Sequence, residues 1–253
     1  MEAIFRVDGA NVVTGPGAAG PWDPNMQHGG APASLAVWAA EQIPTAAPMR
    51  IARVTIDLMR PVPVAPLRLE TEVLREGRKI QLCAIRLYAN DALTVGATVL
   101  KIKLQSEPLP DDVAMPTLDV PMPEQSRVEP QSSPFGEGMT IRAARGRFGG
   151  PGPGAIWYRI DRPLVAGSPV SQAMRVVAAS DFCNASSALD FRRWTFLNAD
   201  LTVSMAREPV GDWILLDAES WIGPDGAGIA VARLADTCGY FGRCVQSLVI
   251  SKR

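Results

Sequence analysis

Hydrophobic and polar positions alternate most clearly in LRLETEVLRE, residues 67–76, where Leu67, Leu69, Thr71 and Val73 share one face and charged residues fill the other. That period of two predicts a strand in an antiparallel sheet with one wet face. Comparable runs predict strands over 53–59, 79–90 and 93–105, divided by short turns at 61–66, 76–78 and 90–91. The stretch Ala31–Gln42 obeys a different period, with Leu35, Val37 and Trp38 at helical intervals among alanines and Pro44 ending the run. A helix this apolar around its whole circumference belongs in an interior, wrapped by the sheet that follows it.

The same order of elements recurs after a proline-rich middle. Trp157–Asp161 reads as a strand, and Pro169 as the first residue of a helix running through Ser180. Strands are predicted over Asn198–Ala206, Trp213–Trp221, Gly228–Asp236 and Gly242–Ser251. Both copies place a helix first, then a strand ending in Arg and Pro: Arg60-Pro61 in one, Arg207-Glu208-Pro209 in the other. A duplicated helix-plus-sheet unit of α+β class is the economical reading. It divides the chain into an N-terminal unit at 1–105, a proline- and glycine-rich linker at 106–153 and a C-terminal unit at 154–253.

Composition narrows the function classes. The formal net charge is −1, with basic and acidic residues interspersed, so the chain lacks the basic footprint of a nucleic-acid binder. Its four cysteines, Cys83, Cys183, Cys238 and Cys244, have no CxxC spacing, which favours reduced thiols over a zinc site or a disulfide frame. No run approaches the ~20 apolar residues of a membrane span, and the start lacks the basic-then-apolar pattern of a secretory signal. The expectation is a cytoplasmic protein without a membrane span.

The candidate chemistry has two centres. Asp181 follows the second helix and precedes Phe182, a setting that predicts a partly buried acid suited to proton transfer, against the alternative of a plain helix cap or turn. Gln246 lies inside an apolar strand, where an unpartnered amide is costly, unless it faces outward from an alternating strand. In the first half, DPNMQHGG holds the single histidine, His28, ahead of Gly29 and Gly30. The backbone N–H groups of those glycines could form an anion cradle at the helix start, or His28 could be an ordinary loop histidine.

A long helix cradled by an antiparallel sheet, made twice, resembles the double hotdog fold, and the chain is similar to the TesB-like acyl-CoA thioesterases. The resemblance rests on HGG before the first helix, LMRPVP, LREGRK, SDF after the second helix, NADLTVSMAREPVGDW and the closing VQSLVI. It implies hydrolysis of an acyl-CoA thioester, with CoA present only as part of the substrate and no separate cofactor or metal, in a homo-oligomer. That family holds its attacking water with an Asp, a Ser or Thr and a Gln. The Asp falls on Asp181 and the Gln on Gln246. The hydroxyl position falls on Asn198, which can hold a water but cannot relay a proton through a hydroxyl; Thr202 is the nearest hydroxyl on the strand.

A likeness to single-hotdog thioesterases of the PaaI type, in which HGG opens the central helix and its glycine N–H groups bind the thioester oxygen, would place His28, Gly29 and Gly30 at the substrate. In single-hotdog relatives a carboxylate further along the first helix acts, but the matching position here is Val37. A second reading takes Asp23, Asn25 and His28 as the D-x-N-x-x-H pattern of MaoC-type enoyl-CoA hydratases, with Trp22 replacing an expected glycine. A third, a non-catalytic acyl-CoA or lipid-binding module, is motivated by Asn198 and Val37. Arg75, Arg78 and Lys79 could meet CoA phosphates or form a solvated turn. No GxSxG elbow, GxGxxG or P-loop pattern occurs.

Overall fold

The computed structural model describes residues 1–106, 113, 116–131, 133–186 and 189–253. The first half contributes β1 (Phe5–Asp8), β2 (Asn11–Thr14), α1 (Gly30–Gln42), β3 (Met49–Leu58), β4 (Leu67–Glu76), β5 (Ile80–Ala89) and β6 (Ala92–Lys103). The second contributes β7 (Arg127–Val128), β8 (Met139–Arg145), β9 (Gly154–Ile160), α2 (Gln172–Ser180), a short α3 (Cys183–Ser186), β10 (Trp194–Asn198), β11 (Asp200–Met205), β12 (Trp213–Ile222), β13 (Ala227–Asp236) and β14 (Gly239–Lys252).

Among the described residues these strands form one continuous sheet in the order β1, β2, β4, β5, β6, β3, β11, β14, β13, β12, β9, β8, β7, with β10 pairing to β14. The order is nearly a palindrome about the antiparallel β3/β11 junction, where Thr55 stands opposite Thr202. The repetition extends to irregularities. The β5–β6 hairpin slips register between Leu87 and Tyr88, and the β13–β14 hairpin slips at the corresponding place, between Leu234 and Ala235. The two halves are therefore equivalent α+β units, as in a double hotdog.

α1 packs on β5 and β6, α2 packs on β9 and β12, and the two helices pack on each other. The apolar circumference of α1 is accounted for by burial of every residue from Gly30 to Val37, together with Ala39 and Ala40. The helices approach closely enough that a Cβ on Gly30 would lie 2.9 Å from the Ala178 carbonyl oxygen and 3.0 Å from the Phe135 ring. At the far end of α1, Lys101 Nζ donates to the Ile43 carbonyl oxygen at 2.8 Å, satisfying an orphan acceptor with a cation, as the helix dipole favours.

Four expectations need correction. The segment 106–153, read as a linker, contains β7 and β8, because Met139, Ile141 and Ala143 turn inward from β8 in strict alternation. The second helix begins at Gln172, not Pro169: Ser171 is its N-cap and accepts the Met174 N–H at 3.1 Å. The alternation in β4 keeps only Leu67 and Leu69 buried; Thr71 and Val73 are exposed, and the pairing slips between Val73 and Arg75. The strand expected at Asn198–Ala206 is two strands, β10 and β11, parted at Ala199. Among the described residues no helix is long and apolar enough to cross a membrane.

Candidate active site

α2 ends at Asp181, placing a carboxylate at the negative end of that helix dipole, which disfavours it. The compensation comes from the other half of the chain. α1 starts beside this carboxylate, and its own first turn carries no acidic residue, so Asp181 provides the anion that a helix N-terminus favours. The fit depends on Gly29, where a Cβ would stand 2.8 Å from both carboxylate oxygens.

Three side chains hold the carboxylate, which is 3% exposed. His28 Nδ1 lies 2.8 Å from Oδ2. Asn198 Nδ2 donates to Oδ1 at 2.8 Å, and Gln246 Nε2 donates to Oδ1 at 3.4 Å and to the Asp181 carbonyl oxygen at 3.2 Å. Gln246 is fully buried and turns its Oε1 to the Asn184 N–H at 3.0 Å, so the amide that looked expensive in a strand is satisfied at both ends. Nδ1 of His28 also accepts from the Gly30 N–H at 3.2 Å. One ring nitrogen cannot both donate and accept in the plane. The bond from Gly30 makes Nδ1 an acceptor, whereas a proton on Nδ1 directed to the carboxylate would leave the lone pair on Nε2.

The imidazole is clamped between Phe135, with centroids 4.8 Å apart and planes at 18°, and Phe182, at 4.2 Å and 31°. Below Phe182 the buried Tyr158 donates or accepts a hydrogen bond with Ser186 Oγ at 2.8 Å, and burial pushes its phenol well up. Burial, reinforced by Cys244, likewise raises the Cys183 thiol. Neither group is suited to ionise near neutrality.

His28, Gly29, Asp181 and Asn198 line one cavity of about 560 Å³, whose apolar wall includes Trp22, Phe148, Phe182, Phe191 and Phe196. It opens where the two halves part. β3 and β11 pair from Arg53–Ser204 to Asp57–Asp200, Leu58 N–H still reaches the Ala199 carbonyl oxygen at 2.9 Å, and beyond that point the chains diverge.

The structure thus brings together His28, Gly29, Asp181, Asn198 and Gln246, with Gln246 behind the carboxylate and outside the cavity lining. Gly30 lies behind the lining, against α2 and Phe135. Thr202 is not brought in. β14 pairs Leu248 with Asn198 but Val245 with Thr202, so one extra residue at Ala199 puts Asn198 on the inner face with Gln246 and Thr202 on the outer face. Thr202 Oγ1 meets Thr55 Oγ1 across the junction instead, at 3.5 Å. Asn198 and Gln246 were expected to hold a water; their amide nitrogens are committed to Asp181. Asp23 lines the cavity, but its Oδ1 accepts from the Asn25 N–H at 2.8 Å, and the carboxylate that partners His28 is Asp181, unlike the hydratase pattern. Arg75, Arg78 and Lys79 are not on the cavity. Sequence reasoning missed Phe135, inside the expected linker, and the pairing of His28 with Asp181; HGG and SDF were the visible signals.

Residues 18–102 match the acyl-CoA thioesterase N-terminal domain, and residues 107–250 match the acyl-CoA thioesterase C-terminal domain. The chain belongs to the acyl-CoA thioesterase family. It is a thioester hydrolase of acyl-CoA. No curated protein matches the thioesterase in sequence. Its fold is that of a hot dog protein from Alicyclobacillus acidocaldarius, at 17% identity and TM-score 0.76 over 98% of this chain and 95% of that one. It is also that of the tesB protein of Mycobacterium avium subs paratuberculosis, at 19% identity and TM-score 0.73 over 97% and 95%. A third likeness is to the acyl-CoA thioesterase II TesB2 of Mycobacterium marinum, at 13% identity and TM-score 0.68 over 98% and 94%.

Proposed function

We propose that the thioesterase hydrolyses its substrate with His28 and Asp181 acting as one unit. The observation that carries this reading is the 2.8 Å contact between His28 Nδ1 and Asp181 Oδ2. In this reading Nδ1 gives up the Gly30 contact and carries the ring proton toward Asp181, which leaves Nε2 to accept a proton, and Asn198 and Gln246 fix Asp181. A water beside Nε2 gives up its proton to His28 as its oxygen attacks the thioester carbon. The C–S bond of the tetrahedral intermediate then breaks, and the imidazolium proton passes to the departing CoA sulfur, giving free acid and CoA thiol. The aromatic wall of Trp22, Phe148, Phe191 and Phe196 receives the acyl group.

The test is free-thiol release from a panel of short, medium, long and aromatic acyl-CoAs, with His28→Gln and Asp181→Asn beside the native enzyme. Each variant is expected to lose about 10²–10⁴-fold in kcat. A variant that keeps native turnover sinks the assignment. A cytoplasmic homo-oligomer belongs to the same reading. It is supported by the absence of disulfides among the described residues and by the exposed Trp221 and Val245 on the outer sheet face.

A further inference from the structure

The lip of the cavity carries a cation that the rest of the protein does not use. Met59, Arg60 and Pro61, just beyond β3, line the cavity together with Leu197 and Ala199, and Met59 and Arg60 are exposed. The Arg60 side chain is exposed and makes no hydrogen bond or ion pair among the described residues. Its counterpart in the other half behaves differently. β3 pairs Leu58 with Val95 and β11 pairs Met205 with Gly242, and Val95 and Gly242 hold the same place in the two slipped hairpins. Two residues past Leu58 is Arg60; two past Met205 is Arg207. Arg207 grips the fully buried Asp236 with Nη1 at 2.5 Å and Nη2 at 2.9 Å.

Asp236 closes its hairpin opposite Gly239, and the residue closing the first-half hairpin in the same register, opposite Ala92, is Ala89. Both halves carry the arginine but only the second carries the carboxylate, and the arginine without it is the one on the cavity. A second cation stands nearby: the Arg253 guanidinium lies 5.3 Å from the ring centroid of Trp22, which lines the same cavity. The lining's acids are Asp23, turned to Asn25, and Asp181.

We infer that Arg60 is the anion anchor of the site, binding a phosphate of the CoA moiety at the lip while the thioester reaches inward to His28 and Asp181. The inference rests on the acyl-CoA reading above. A guanidinium presents a planar fork that matches two phosphate oxygens, so an unpaired arginine at a cavity mouth suits a phosphorylated carrier better than a neutral one.

The test compares two substrates with the same acyl group, the CoA ester and the N-acetylcysteamine thioester, which lacks phosphate. In Arg60→Ala the ratio of kcat/KM for the CoA ester over the short thioester is expected to fall about ten-fold, the worth of an exposed charge-assisted contact. Arg60→Lys is expected to restore part of it. Ala89→Asp, which supplies the carboxylate that Arg207 enjoys, is expected to lower the same ratio by recapturing Arg60. An unchanged ratio in Arg60→Ala overturns the inference. Calorimetric binding of CoA and of pantetheine reads the same contact without turnover. Loss of CoA affinity in Arg60→Ala, with pantetheine little affected, supports the anchor even if the thioesterase reading fails; equal CoA affinity overturns it.

Discussion

The Asp181 carboxylate occupies the space that a side chain at residue 29 would need, both of its oxygens standing 2.8 Å from the place of a Cβ on Gly29. Glycine at this position is therefore a requirement of close approach between the halves, not of turn flexibility, since its φ of −58° is open to any residue. Gly29→Ala must push the carboxylate away from His28 and Asn198. It is expected to cost about 10²-fold in kcat, as misplacement of about 1 Å does, with a modest change in Tm. Thiol-release kinetics beside a thermal melt check this.

Gln246 ties three elements by bonding Asp181 with its amino group and the Asn184 N–H with its carbonyl. Gln246→Ala leaves both partners buried and unmet, which costs about 1–3 kcal/mol for each such group. A chemical denaturation curve is expected to move to lower midpoint with unchanged slope, and kcat to fall with it as Asp181 loses a support.

Asn198 and Thr202 should separate cleanly in function. Asn198→Ala removes the shorter amide donor to Asp181 and is expected to lower kcat by about ten-fold or more. Thr202→Val, on the outer face, is expected to leave kcat within about two-fold. Parallel kinetics on the two variants check that the slip at Ala199 turns the two side chains to opposite faces.

Acid stability should depend on Asp236. Its burial would raise the carboxyl, but hydrogen bonds from Arg207, Val210 and Cys238 together with the Arg207 charge outweigh it and hold the group below the usual carboxylate range. A carboxyl depressed in the folded state contributes stability above its unfolded pKa, and that contribution is lost as pH falls through the folded value. Asp236→Asn is expected to lower stability at neutral pH by about 2–3 kcal/mol and to flatten the fall in Tm below about pH 4. Melts across that range, native beside variant, give the answer.

Much of the fold was legible because duplication repeats its evidence. The α1 run, the strand period and the paired Arg-Pro ends all point to two helix-on-sheet units. Register slips were not legible. The extra residue at Ala199 leaves the apolar pattern of NADLTV unchanged while reversing the face on which Thr202 lies, and only the pairing with β14 discloses it. Strand β8 was hidden because its neighbours are rich in Pro and Gly. In the site, Asp181 and Gln246 could be singled out as polar residues in apolar settings. Their partnership with His28 spans more than 150 residues of chain, and no local pattern encodes it.

The claim that His28 and Asp181 form one catalytic unit across the two halves is tested most directly by a double-mutant cycle in kcat/KM for acyl-CoA hydrolysis. Residues that act together lose their contribution once. The account predicts that His28→Gln, Asp181→Asn and the double variant all fall by a similar factor, about 10²–10⁴-fold. Losses that multiply in the double variant, or a single variant that retains native activity, would contradict it.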